Sequence, residues 1–186
     1  MKKYFILFCI FFLASCQQRK NVTIDSIEVL YYNSPIIHTE EPMRCSDLVY
    51  KPLTEKDTCP VHTGGGIYYY ETAIYKGIIT DKDILQEIVN EIQHFKSRKG
   101  YDSNIGMKCY VNYSNGEMDS LCIAQSPLHG SYRGEFMQFT NKFVYLIRKN
   151  CGFYRRMSVD LMVYFDELND TTFTREKVVS ISGEEY

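Results

Sequence analysis

The stretch GMKCYVNYSNGEMDSLCIA, residues 106–124, decides how this chain folds. Each half mixes β-branched, aromatic and polar residues, and the turn-forming pair Asn115-Gly116 sits between them, which is the pattern of an antiparallel hairpin. A two-residue Asn-Gly turn sets Ser114 opposite Glu117, and Cys109 then falls opposite Cys122 at a non-hydrogen-bonded pair. Cα atoms at such a pair lie about 4.5 Å apart, a separation that a disulfide tolerates. The expectation is a Cys109–Cys122 bridge. Met107, Cys109, Val111 and Tyr113 would share the core side with Met118, Ser120, Cys122 and Ala124.

Working outward, Val22–Tyr32 is rich in β-branched and aromatic residues and reads as a first strand. Residues 33–66 hold four of the five prolines and end in Gly64-Gly65-Gly66, which makes a long irregular loop. Cys45 and Cys59 flank its centre and are expected to pair if the loop folds back. Ile67–Ile79 reads as a second strand, with Tyr68, Tyr69 and Tyr70 near its start. Thr80 then caps a helix, in which Ile84, Leu85, Ile88, Val89, Ile92 and Phe95 recur at helical spacing. Past the hairpin a second helix is expected near Glu135–Lys149, with Phe136, Phe139, Thr140, Phe143 and Ile147 in one stripe. Val159, Leu161, Val163 and Phe165 alternate as a last major strand, and Val178–Ile181 reads as a short edge. From residue 67 the order is strand, helix, strand, strand, helix, strand. That order predicts an α+β fold, an antiparallel sheet with two helices on one face. It is the ferredoxin-like βαββαβ order, preceded here by an extra strand and the long loop.

The N-terminus carries a different kind of signal. Met1-Lys2-Lys3 is positively charged, Tyr4–Phe12 is almost wholly apolar, and Leu13-Ala14-Ser15-Cys16 places small residues before a cysteine. The apolar run is too short for a spanning helix, which needs about 20 residues, so it reads as a cleaved signal peptide over residues 1–15. Leu13-Ala14-Ser15-Cys16 resembles the lipobox of bacterial lipoproteins, a resemblance confined to residues 1–16. It implies lipidation of Cys16, a short tether over 16–21, and one domain over 22–186 held at a membrane through its lipid. Gln17 follows the cysteine where an Asp would retain a lipoprotein at the inner membrane. Gln18-Arg19-Lys20-Asn21 lacks the acidic cluster that directs some lipoproteins to the outer surface. The localisation expected is therefore the outer membrane, facing the periplasm.

Composition narrows the function. Without Lys2 and Lys3 the chain has 19 basic against 23 acidic residues, a net charge of −4. With no basic stripe, nucleic acid is not expected as a partner. Sixteen Tyr and no Trp suit half-buried strands and protein contacts alike. No Gly-x-Ser-x-Gly, His-Glu-x-x-His or Walker-type loop occurs, and no cofactor or metal is expected. His62 before Gly64, Gly65 and Gly66 could form an anion-accepting turn. With Tyr68, Tyr69 and Tyr70 it marks the candidate binding loop. The reading is a non-enzymatic envelope protein that binds a protein partner, such as an immunity protein against a delivered effector or an accessory subunit of an outer-membrane complex. The competing reading is a thiol- or metal-dependent periplasmic enzyme built on Cys45, Cys59 and His62, whose Cys59-x₂-His62 spacing would suit either chemistry.

Overall fold

A computed structural model describes residues 22–32, 44–50, 58–63, 66–71, 74–100, 104–124 and 128–186, with the backbone course alone for 58–63 and 66–71. The leader, Cys16 and the tether lie outside the described residues, as do Gly64 and Gly65. The strands are β1 (Ile24–Tyr32), β2 (Thr58–Thr63), β3 (Gly66–Glu71), β4 (Ile74–Ile79), β5 (Lys96–Ser97), β6 (Ile105–Tyr113), β7 (Met118–Ala124), β8 (His129–Tyr132) and β9 (Glu135–Gln138). The helices are α1 (Lys82–Ile92), α2 (Asn141–Asn150), and the single turns α3 (Val159–Met162) and α4 (Asp166–Asn169). Among the described residues no helix is long and apolar enough to cross a membrane.

Seven strands form one antiparallel sheet in the order β4-β1-β6-β7-β8-β9-β5, and β2 pairs with β3 separately. This is a mixed α+β architecture, as the alternation of periods predicts, but the sheet is larger than the ferredoxin-like one expected. One split unit is present. β4 and β6 flank β1, both antiparallel to it, and α1 lies in the connection between them. The second unit is missing because residues 159–165 do not form a strand. Their buried members are Met162 and Phe165, joined by Leu168, whereas Val163 is 53 % exposed. A three-residue spacing of buried positions is helical, and α3 and α4 form there. Val178–Ile181 contributes one isolated bridge, Val179 to Glu185.

Three further boundaries differ from expectation. The stretch 67–79 divides between β3 and β4, which belong to different sheets. Asp81, not Thr80, caps α1: its side chain accepts from the backbone N–H of Asp83 and Ile84 at 3.0 and 3.1 Å, satisfying two otherwise orphaned donors. The second helix starts at Asn141, because Thr140 is its cap, accepting from Phe143 N at 3.0 Å. Glu135–Gln138 forms β9 instead.

The hairpin turn sets the register of everything else. Gly116 donates to Tyr113 O (2.9 Å) and Tyr113 to Glu117 O (3.0 Å), while Gly116 has φ +84°. The loop is therefore Ser114-Asn115-Gly116, a three-residue connection with a left-handed glycine at its end. Asn115 is its second residue, and its Oδ1 accepts from Glu117 N at 3.0 Å. The extra residue moves the pairing by one, so Cys109 lies opposite Leu121 and Cys122 opposite Lys108. A one-residue shift sends the side chains of one strand to the other face. Cys109 and Cys122 thus occupy opposite faces of the sheet.

The front face carries Ile27, Val29, Met107, Cys109, Val111, Leu121 and Ile123, in one cluster with Leu85 and Ile88 of α1 and Phe143, Val144 and Ile147 of α2. Within it lies an ion pair withdrawn from water. Arg148 Nη1 is 2.5 Å from Glu167 Oε1, which also accepts from Tyr154 Oη at 2.8 Å. The guanidinium sits between the rings of Phe153 and Phe165, 5.0 Å from each centroid. Burial disfavours charge on Arg148, but the adjacent Glu167 outweighs it and holds the guanidinium ionised. Removing one partner of such a pair leaves an uncompensated charge, at a cost of about 3–5 kcal/mol. We predict that Glu167→Ala lowers unfolding free energy in urea by about that amount, and that the double change Arg148→Met, Glu167→Leu recovers most of it.

Candidate binding face

The back face is built by the residues that the hairpin register turns away from the front cluster. Lys76, Leu30, Lys108, Cys122, Ser131 and Phe136 follow one another across six strands. The row beside it runs Ile78, Glu28, Tyr110, Ser120. Lys76 reaches Glu28 at 2.6 Å, and the Lys108 ammonium lies 4.9 Å from the Tyr110 ring centroid. Ile78 is 55 % exposed. Of these, the aromatic Tyr110 and Phe136 are of a type enriched at protein contacts, while the lysines, Glu28 and the serines are of types depleted there.

Part of this face is covered by residues 44–50, and the chemistry that holds them is covalent. Cys45 is bonded to Cys122, with Cα atoms 5.9 Å apart. Leu48 enters a small cluster with Ile105, Cys122 and Ala124 and is fully buried. Between these anchors Asp47 closes a turn: its carboxylate accepts from Arg44 N and Ser46 Oγ, each at 2.9 Å. These bonds, led by the one from the Arg44 backbone, hold its acidity above that of an ordinary aspartate. Beyond Leu48 the segment presents Val49 and Tyr50 to solvent, 53 % and 50 % exposed. Residues 44–50 are therefore pinned to the sheet, but by a different bridge from the one expected.

That bridge corrects both expected pairings. Cys109–Cys122 does not form, because the three-residue turn places Cys109 on the front face, where it is a buried free thiol. Cys45–Cys59 does not form because Cys45 is used by Cys122. The same bond removes Cys45 from any thiolate or metal set with Cys59 and His62. Cys151, the second buried free thiol, donates to Arg148 O at 3.5 Å. Burial pushes the Cys151 thiol up to about 12 and raises Cys109 further from ionisation, with Cys151 adding to it. Neither is a nucleophile in this state. Among the described residues no group of three His, Cys, Asp or Glu is placed to hold a metal ion.

The binding loop read from sequence is only partly described. His62 is opposite Ile67, Thr63 opposite Gly66, and Tyr68, Tyr69 and Tyr70 are opposite Val61, Pro60 and Cys59 in the β2–β3 ladder. Its side chains and Gly64-Gly65 lie outside the described residues. Lys108 and Tyr110 share the face away from the core in either register; the expected register missed that Ser120 and Cys122, and with them Leu48, lie on that same face. The basic cluster near the end of α2 is structural. Arg148 serves Glu167, Lys149 pairs with Glu176, and Arg156 stacks 3.8 Å from the Tyr75 ring centroid.

Compared with protein-family models, curated proteins and solved structures, the chain matches none of them.

The Cys45–Cys122 bridge spans 77 residues, and loop closure of that size is worth about 4 kcal/mol in the chain-entropy model. We predict that Cys45→Ser with Cys122→Ser lowers unfolding free energy by about 2–4 kcal/mol. In the unreduced wild type, Cys109 and Cys151 should resist thiol reagents until denaturant is added.

Proposed function

We propose that this protein is a lipid-anchored, non-enzymatic binding module of the cell envelope, in which α1 and α2 back one side of the sheet and the pinned loop dresses the other. The Cys45–Cys122 bond carries the reading. Structural disulfides persist in oxidising compartments such as the periplasm, which agrees with the export implied by Leu13-Ala14-Ser15-Cys16. The bond also sets Val49 and Tyr50 on a scaffold that is ordered before a partner arrives, and preorganisation of this kind lowers the entropic cost of association. Within this class, an immunity protein facing the periplasm and an accessory subunit of an outer-membrane complex place the same demands on the face: a stable scaffold, an exposed tyrosine and a tether.

Two measurements on the native protein test this. Metabolic labelling with a palmitate analogue should mark the wild type and not Cys16→Ala. Crosslinking from intact envelopes should recover one stoichiometric protein partner, whose yield falls about tenfold, equivalent to about 1.4 kcal/mol, when Tyr50 is replaced by Ala. A secreted effector as partner identifies an immunity role, and a membrane-complex subunit an accessory role. Capture of no partner by an anchored wild type would contradict the binding reading.

A further inference from the structure

The sheet ends at β5, and there three basic residues share its back side. Lys96 lies opposite Gln138, and Gln138 opposite His129, so the three form a row across β5, β9 and β8. Strand alternation brings Arg98 to the same side as Lys96. The Arg98 guanidinium is positioned by other residues. Its Nη1 donates to Gln138 Oε1 at 3.1 Å, and Gln138 is itself fixed by donating from Nε2 to Leu128 O at 2.7 Å. His129 Nδ1 is 3.5 Å from the same Nη1. Among the described residues only Nη1 of Arg98 is engaged. The Nε–Nη2 pair, the fork with which arginine grips an oxyanion, makes no contact with a described residue. Neither Lys96 nor Arg98 has a carboxylate within ion-pair distance among the described residues.

We propose that Lys96, Arg98 and His129 form a binding site for an oxyanion of the phosphate type. Arginine supplies the two-handed contact, lysine a second charge, and histidine a donor that depends on its protonation. Without the anion, burial and then the neighbouring Arg98 lower the His129 pKa, and neutral Nδ1 accepts from the guanidinium. An anion between them reverses the sign: it favours imidazolium, so affinity rises as pH falls through the histidine range. Among the described residues, the other charged groups nearby are Lys99, next to Arg98, and Asp166 and Asp170. Those carboxylates line a pocket of about 470 Å³ that Gln138 also borders, but Arg98 and His129 do not. Asp170 is occupied by Asn141 Nδ2 and Thr172 N, at 2.6 and 2.7 Å. Charged residues at a sheet edge also discourage edge-to-edge pairing, but that role needs no fixed guanidinium and no histidine beside it.

Sulfate is the probe, because its charge is constant over the range in which His129 titrates. It is added to the full-length protein in a non-ionic detergent, and the Arg98 Nε–H and His129 ring signals are followed by NMR. Both should shift saturably, with affinity about threefold or more tighter at pH 5.5 than at pH 7.5. Arg98→Gln should weaken binding about tenfold. His129→Gln should retain binding but lose its pH dependence. Competition identifies the source: glycerophosphoglycerol displacing sulfate better than inorganic phosphate assigns a lipid headgroup, and the reverse assigns a free phosphate. No saturable shift at Arg98 and His129, or an Arg98→Gln variant that titrates like the wild type, would overturn the site.

Discussion

One left-handed glycine governs the arrangement. Gly116 at φ +84° closes a three-residue loop between β6 and β7, and the length of that loop decides which side chains face the helices. With Cys109 opposite Leu121, both enter the front cluster. Cys122 is turned to the back, where Cys45 can reach it. The pinned segment, the exposed Val49 and Tyr50, and the protected Cys109 thiol all depend on this register. Gly130 on β8 completes the constraint: a Cβ there would lie 1.7 Å from Cys122 O, so β8 can approach β7 beside the disulfide only as glycine. The turn from β8 to β9 shows the opposite solution. Arg133 adopts φ +52°, beside Gly134 at +81°, and is held in place by Asp119, whose Oδ2 accepts from Arg133 Nε at 2.7 Å and from Tyr113 Oη at 2.8 Å.

Beyond α2 the chain adds no strand to the sheet and is held by side chains of that helix. Asn141, Tyr145, Arg148 and Lys149 recur at helical spacing and reach Asp170, the backbone of Glu176, Glu167 and the Glu176 carboxylate, respectively. One stripe of a single helix therefore organises residues 163–176, with Phe165 and Leu168 packing between the polar contacts. The exposed members of this stripe contribute little each. Arg148–Glu167 is different, because desolvation makes its geometry obligatory.

Much of this was legible. β1, the apolar stripe of α1 and the existence of the hairpin follow from period and turn chemistry, and these elements form where expected, except that α1 stops at Ile92, short of Phe95, and Lys96–Ser97 joins the sheet. The hairpin's register does not follow, because Asn-Gly fits both a two-residue turn and the last two positions of a three-residue one. Residues 159–165 mislead in another way. Val159, Leu161, Val163 and Phe165 alternate, yet the positions that find a core are Met162, Phe165 and Leu168, and tertiary packing decides between the two periods. The disulfide was hidden twice over: the expected register turned Cys122 toward the core, and Cys45 lies 77 residues away with no local pattern to link them. The Arg98–His129 cluster depends on β5, a two-residue strand too short to leave a periodic signal.

The binding reading rests on a scaffold whose two faces are separated by register and whose loop is tied to the back one. Disulfide mapping tests this most directly. The protein is isolated from envelopes under alkylating conditions, digested without reduction, and its linked peptides are identified by mass spectrometry. The account predicts a Cys45–Cys122 linked peptide, with Cys109 and Cys151 alkylated only after denaturation. A Cys109–Cys122 linkage, or Cys45 and Cys122 both recovered as free thiols, would contradict it.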